Sequence, residues 1–355
     1  MKLEEILNGI KPLDDTWIQK ARERTAQLVM PTRALGRLHD VSERLCAIQK
    51  TLAPSVKRKA VLVMAGDHGV ASEGVSAYPQ EVTGAMVQTF LKGGAGINAI
   101  SRHVGADVWV VDMGIIPEMN PDRIAGGDRL LIRKTARGTA NLAKGPAMTR
   151  QEAETSVLTG FQLAAELFDE GVEILGTGDM GIANTTPSAA IGCVVTGIPP
   201  EEMVGRGTGV DDEGLRIKQA AVVKGIAVNQ PDPDDGLDVL AKVGGFEIGG
   251  IAGCVLAGAF YGRPVVIDGF ISTAGALIAG ILSPLVTDYI FAGHCSEEPG
   301  HKAMLKHLGI TPILDLGMRL GEGTGGALAM SIMEGAVCVF NEVLTFEEAG
   351  VADKG

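Results

Sequence analysis

The chain has 355 residues, of which 46% are hydrophobic and only 4% aromatic, with 49 glycines. That length and mix suit a close-packed α/β protein, one large domain with an appendage or two domains, in which small residues let helices lie tightly on a sheet. A formal charge of −12, with no basic run and no interleaved aromatics, argues against a nucleic-acid or membrane surface but leaves room for local anion binding by helix termini and a few lysines.

The N-terminal Leu3-Glu4-Glu5-Ile6-Leu7 starts an amphipathic helix and lacks the apolar stretch of a signal peptide. The glycine-broken apolar run 248–261 is too short to span a bilayer, so a soluble, cytoplasmic protein is expected. Both ends read as helical, which predicts a small helical subdomain built from 1–30 and 319–355 beside an α/β domain over 31–318. Strands are predicted at 60–65, 107–112, 172–175, 264–268 and 288–292, with further candidates at 129–133 and 313–316. Helices are predicted at 81–103, 150–170, 187–196, 213–228, 236–261, 272–282, 296–308 and 325–341. Continuous apolar strands alternating with helices imply a parallel sheet covered on both faces. Several strands run straight into glycine-rich loops, among them Gly66-Asp67-His68-Gly69, Gly176-Thr177-Gly178 and Asp268-Gly269-Phe270.

Cys46, Cys193, Cys254, Cys295 and Cys338 are scattered without metal or redox spacing and read as reduced thiols. His294, His301 and His307 do not fit a metal-binding helix face. The chain has no His-Glu-x-x-His, Cys-x-x-Cys, phosphate-binding Gly-x-x-x-x-Gly-Lys-Ser/Thr or Gly-x-Ser-x-Gly pattern, so no metal, cofactor or serine acyl chemistry is expected. Asp211-Asp212-Glu213 and Asp234-Asp235 sit at expected helix starts, where acidic residues are favoured anyway, and do not follow strands as a metal–diphosphate site would. His68, where a strand enters its loop, could meet a ligand.

Three places could carry chemistry. In 172–187 an apolar run stops at Gly176, Gly178, Gly181 and one carboxylate, Asp179; a helix start follows, with Thr185 or Thr186 as N-cap and Pro187 at the first helical position. Such a junction falls at the carboxyl edge of a parallel sheet, where ligands bind, although it also suits an ordinary strand–turn–helix connection. Glu322 lies between Gly321 and Gly323, open to a flat ring from either side, and the helix start after it favours a carboxylate able to accept a proton; an acidic N-cap is the plain alternative. Lys218 falls within the Leu215, Val222, Ile226 stripe of the predicted helix 213–228, so it either meets a bound phosphate or carboxylate or snorkels at the stripe's edge.

Gly176-Thr177-Gly178-Asp179-Met180-Gly181-Ile182-Ala183-Asn184-Thr185-Thr186-Pro187 resembles the signature of the nicotinate-nucleotide–dimethylbenzimidazole phosphoribosyltransferase family. Four more stretches match that family in order: 61–70 with Gly66-Asp67-His68-Gly69, 229–236 with Asn229-Gln230-Pro231, Lys242-Val243-Gly244-Gly245-Phe246, and Met318-Arg319-Leu320-Gly321-Glu322-Gly323. Together they cover nearly the whole chain. The resemblance implies a Rossmann-like parallel sheet flanked by helices with a small helical domain, a homodimer, and two small-molecule substrates, nicotinate mononucleotide and a benzimidazole-type base. It implies that 5-phosphoribosyl passes to a ring nitrogen of the base with inversion at the anomeric carbon, a step in cobamide lower-ligand assembly. The leaving ring departs neutral from a pyridinium, so neither acid nor metal is needed, and the attacked azole's other N–H becomes acidic enough for an ordinary carboxylate. By the same resemblance Glu322, flanked by Gly321 and Gly323, matches the proton acceptor. Asp179 is the candidate to stabilise positive charge on the ribose, although family members usually carry the longer Glu there. The backbone around Gly176, Thr177, Gly178, Met180, Gly181, Ile182, Asn184 and Thr185, with Lys218, would hold the nucleotide's phosphate and carboxylate, and the stretch containing Tyr78 and Met86 would line the base pocket. A nucleotide N-glycosidase with water as acceptor, and a nucleotide-sensing module without turnover, are the alternative readings.

Overall fold

Six parallel strands form the centre of the fold: β1 (Lys59–Gly66), β2 (Ala106–Gly114), β3 (Leu130–Ile132), β4 (Ile174–Met180), β5 (Val265–Ile267) and β6 (Ile290–Ala292), in the spatial order β3-β2-β1-β4-β5-β6. The coordinates are a computed structural model and describe residues 1–352. The strand order reverses at the β1–β4 pair, so the crossovers leave on opposite faces and a crevice opens at the carboxyl ends of those two strands. Asp179, near the end of β4, pairs with Met64 of β1 and so stands at that crevice.

Helices α1 (Leu3–Gly9), α2 (Asp15–Gln27) and α3 (Arg37–Gln49) precede β1, α4 (Val82–Leu91) and α5 (Gly96–Val104) lead to β2, and α6 (Arg150–Asp169) leads to β4. Between β4 and β5 run α7 (Thr185–Thr196), α8 (Pro200–Met203), α9 (Asp212–Asn229), α10 (Gly236–Val243) and α11 (Phe246–Tyr261), and α12 (Phe270–Leu282) joins β5 to β6. A separate parallel pair, β7 (His294–Ser296) and β8 (Leu314–Met318), brackets α13 (His301–His307), and α14 (Thr324–Glu342) and α15 (Phe346–Ala349) follow.

Every residue of β1 is buried, which is why its sequence is continuously apolar rather than alternating. Met64 meets α11 at Gly250, whereas Val61 meets the start of α14 at Gly323, as the alternation of side chains along a strand requires for helices on opposite faces. Behind α11 lies α6, in contact close enough that a Cβ on Gly253 would lie 2.5 Å from the Phe161 nitrogen. At the far end of α14, Phe340 packs with Ala21 and Cys46, and Leu28 bridges Thr345. Among the described residues no helix is long and apolar enough to cross a membrane.

Most departures from the predicted elements trace to glycine. The expected helix 81–103 breaks into α4 and α5 around Gly93, which turns left-handed with φ 73° two residues past the end of α4. The expected helix 236–261 breaks at Gly244-Gly245, whose extended backbone restarts the helix at Phe246. Conversely, β4 does not stop at Leu175 but runs through Gly176 and Gly178 to Met180, because bare backbone there admits a neighbouring loop: a Cβ on Gly178 would lie 2.9 Å from the Gly323 nitrogen. The residue before α7 is Asn184, not Thr185 or Thr186, and Pro187 occupies the third helical position, where a missing N–H is still harmless. The expected helix 296–308 shortens to α13 because 294–296 pairs with β8.

Candidate active site

A cleft of about 470 Å³ opens at the carboxyl edge of the sheet. Tyr78, Met86, Asp179, Met180, Gly181, Ile182, Asn184, Thr185, Gly321 and Glu322, all singled out from the sequence, line it. Gly176, Thr177 and Gly178 do not: they lie inside β4, where the buried Thr177 hydroxyl bonds Ser272 at 3.0 Å. Gly323 sits just behind the lining, and Lys218 just beneath it.

Glu322 sits in an unusual backbone. Gly321, Glu322 and Gly323 have φ values of 81°, 65° and 95°, and a left-handed glutamate is strained in a way that marks functional sites. Its carboxylate is not held by the helix that follows it, as the sequence suggested. The α5 amides hold it instead: Ile97 N–H donates to Oε2 at 3.0 Å, while the residue lines the cleft. The start of α14 is taken by Asp268, at the end of β5, which accepts from Gly326 N–H at 2.8 Å and Gly323 N–H at 3.1 Å. Asp268 thereby clamps the turn on which Glu322 rides. Burial, with the Asp268 charge adding to it, raises the Glu322 carboxyl above its ordinary value against the pull of the Ile97 and Gly96 amides.

Asp179 is 6% exposed and accepts a hydrogen bond from Asn184 Nδ2 at 2.9 Å. Gly321 faces it so closely that a Cβ there would lie 3.3 Å from both carboxylate oxygens. Burial, then the charge of Asp268, push its carboxyl up to about 8. Without a nearby cation the side chain therefore keeps its proton at neutral pH, and a positively charged ring beside it would draw it to the anion.

Lys218 does not snorkel. It is 1% exposed, and its ammonium donates to Thr185 Oγ1 at 2.7 Å and to the Gly205 carbonyl at 3.0 Å. Burial pushes it down to about 8, opposed by the charge of Glu298. Two of its three donors are thus engaged, and Thr185 places it at the cleft floor. Glu298 in turn accepts Gly207 N–H at 2.9 Å and shapes the turn covering the lysine.

His68 is buried and does not line the cleft, but stands behind Gly181, which does. His294 lines the cleft, with Nε2 3.8 Å from Asp268. His301 accepts Ser296 N–H at Nδ1, so its proton lies on Nε2 toward Thr273, and burial pushes it down to about 3. Asp211 and Asp235 cap α9 and α10, the roles their positions suggested. Among the described residues no cluster of His, Cys, Asp and Glu is arranged to hold a metal.

Sequence reasoning missed Asp268 and Glu298 as members of the site. Asp268 carried a signal, a carboxylate at a strand end before Gly269; Glu298, brought in by the unforeseen β7–β8 pair, carried none.

A phosphoribosyltransferase family model matches residues 10–351. Nicotinate-nucleotide–dimethylbenzimidazole phosphoribosyltransferase of Geobacter sulfurreducens is 53% identical over 353 residues, spanning 99% of this chain and 98% of that protein. The enzyme of the same name from Syntrophobacter fumaroxidans is 50% identical over 355 residues, spanning 100% and 99%. The crystal structure of the Thermus thermophilus enzyme of that name aligns with a TM-score of 0.89 at 47% identity, covering 96% of this chain and 100% of that one.

Proposed function

This chain belongs to the nicotinate-nucleotide–dimethylbenzimidazole phosphoribosyltransferase family, and from that premise we propose how its cleft carries the reaction. The enzyme moves 5-phosphoribosyl from nicotinate mononucleotide to a ring nitrogen of dimethylbenzimidazole or a related base and releases nicotinate. In our reading Lys218 and Thr185 anchor the nucleotide's phosphate, the lysine through its remaining donor. The pyridinium and the adjoining ribose carbon then lie near Asp179, whose proton leaves as the positive ring arrives. The resulting anion faces the charge that builds on the sugar as the glycosidic bond breaks. The incoming base packs among Tyr78, Val82, Met86 and Leu320, and its second nitrogen gives a proton to Glu322.

The observation that carries this reading is the strained, amide-anchored Glu322 facing the same cleft as Asp179. A carboxylate with a raised proton affinity suits acceptance from an azole whose acidity rises only as its partner nitrogen attacks. Incubation with nicotinate mononucleotide, with and without dimethylbenzimidazole, tests it by mass spectrometry of the products. Transfer requires α-ribazole phosphate in the presence of the base; equal release of ribose 5-phosphate in both arms would mean hydrolysis. Cytoplasmic location and homodimeric assembly belong to the same reading; the exposed Leu316 of β8 supports the second, and light scattering of the purified protein tests it.

A further inference from the structure

The segments around His68 and Gly245 have no part in the chemistry above, yet the fold brings both to the back of the cleft. His68 is 1% exposed, and Glu247, in the first turn of α11, is fully buried. Nε2 of one lies 2.8 Å from Oε1 of the other. Three glycines from three separate segments make room for the pair. A Cβ on Gly245 would lie 2.5 Å from His68 Cε1 and 2.6 Å from Glu247 Oε2, and one on Gly66 would lie 2.8 Å from the same oxygen. A Cβ on Gly181 would lie 3.2 Å from His68 Nε2 and would strike the Gly66 carbonyl. Gly181 follows Asp179 by two residues and lines the cleft.

No ring nitrogen of His68 and no carboxylate oxygen of Glu247 makes a directed hydrogen bond. The 2.8 Å contact between them and the glycine surfaces therefore hold the two side chains. Main-chain ties converge on the same region: the His68 carbonyl accepts Gln80 Nε2 at 3.1 Å, and Ile182 N–H donates to Thr83 Oγ1 at 3.1 Å. From this convergence we propose that His68 and Glu247 are a positioning pair: wedged among Gly66, Gly181 and Gly245, they set the height of the 180–184 turn and with it the placement of Asp179 and Asn184. Neither residue touches substrate. The inference rests on the assignment of Asp179 to the reaction.

The test compares Glu247→Gln, His68→Gln, Gly181→Ala and Asp179→Asn in the full chain, each assayed below its own melting temperature. Misplacing a reacting group by about an ångström costs on the order of 100-fold in rate. We expect kcat to fall roughly 10- to 100-fold in the pair variants, with KM for dimethylbenzimidazole changed less than about threefold, because no side chain of the wall from Tyr78 to Met86 is replaced. Gly181→Ala should give the same split while leaving the pair intact. Glu247→Gln keeps the side-chain shape, so it and Gly181→Ala carry the test if His68→Gln does not fold. Wild-type kcat in both, with only a lower melting temperature, would overturn the inference and leave the pair as packing. Normal turnover in Asp179→Asn would remove Asp179 from the reaction and the premise with it; slow Asp179→Asn beside normal pair variants would refute the positioning role alone.

Discussion

Replacing Asp179 with asparagine should make the protein slower and more stable at once. A carboxyl that titrates near 8 in the folded chain, against an ordinary 3.8, binds a proton that the unfolded chain has already released. Stability contributed by that proton is present at acid pH and is lost as pH rises from 3.8 toward 8. The loss grows by about 1.4 kcal/mol per pH unit, so at pH 7 the aspartate costs the fold on the order of 4 kcal/mol as an upper bound. Asparagine has no proton to lose, and its amide oxygen can still accept from Asn184 Nδ2. A gain of about 2–4 kcal/mol corresponds to roughly 3–5 °C in melting temperature for a chain of this size. Scanning calorimetry of both proteins between pH 5 and 8 should show a small difference at the acid end that widens steadily toward pH 8. A variant that melts below wild type throughout, or above it by a pH-independent margin, would show that Asp179 is not a buried, proton-holding carboxyl.

Other expectations follow from the same geometry. Glu322→Gln should reduce kcat by roughly 10²- to 10⁴-fold while calorimetric binding of nicotinate mononucleotide stays within a few-fold of wild type; near-normal turnover would remove Glu322 as the base. Lys218→Met, which fills the buried space without charge, should weaken mononucleotide binding by about 10- to 100-fold, and an unchanged dissociation constant would return the lysine to a structural role. Mononucleotide binding near pH 7 should release a proton from Asp179, seen as a buffer-dependent binding enthalpy that disappears in Asp179→Asn. Gly178→Ala should destabilise the fold by about 1–3 kcal/mol, because the new Cβ meets the Glu322–Gly323 backbone; a melting temperature equal to wild type would contradict that close approach.

The sheet was legible because β1, β5 and β6 are buried along their whole length and so read as unbroken apolar runs. What escaped the sequence was the double use of glycine. Gly93 and Gly244 end helices, whereas Gly176 and Gly178 lie within a strand, the first packed under the Met330 side chain and the second against the Glu322–Gly323 backbone, and only the tertiary neighbour distinguishes the two uses. The cleft's acidic lining was legible in Asp179 and Glu322, which stand in glycine-rich turns beside a helix start, and Lys218 stood out as a lysine on an apolar stripe. It was not legible in its connections. The amides that hold Glu322 come from α5, more than two hundred residues away in sequence, and Asp268 occupies the helix start that local reasoning had given to Glu322. Nor does any one-dimensional pattern announce the left-handed backbone of Glu322, because its neighbours rather than its own preference impose it.

The most direct test is a crystal structure of Glu322→Gln soaked with nicotinate mononucleotide and dimethylbenzimidazole. Side chain 322 should lie about 3 Å from the base's N–H nitrogen, with the other ring nitrogen facing the ribose carbon. A base bound elsewhere, or bound in the cleft with that side chain turned away from it, would contradict the proposed chemistry at its root.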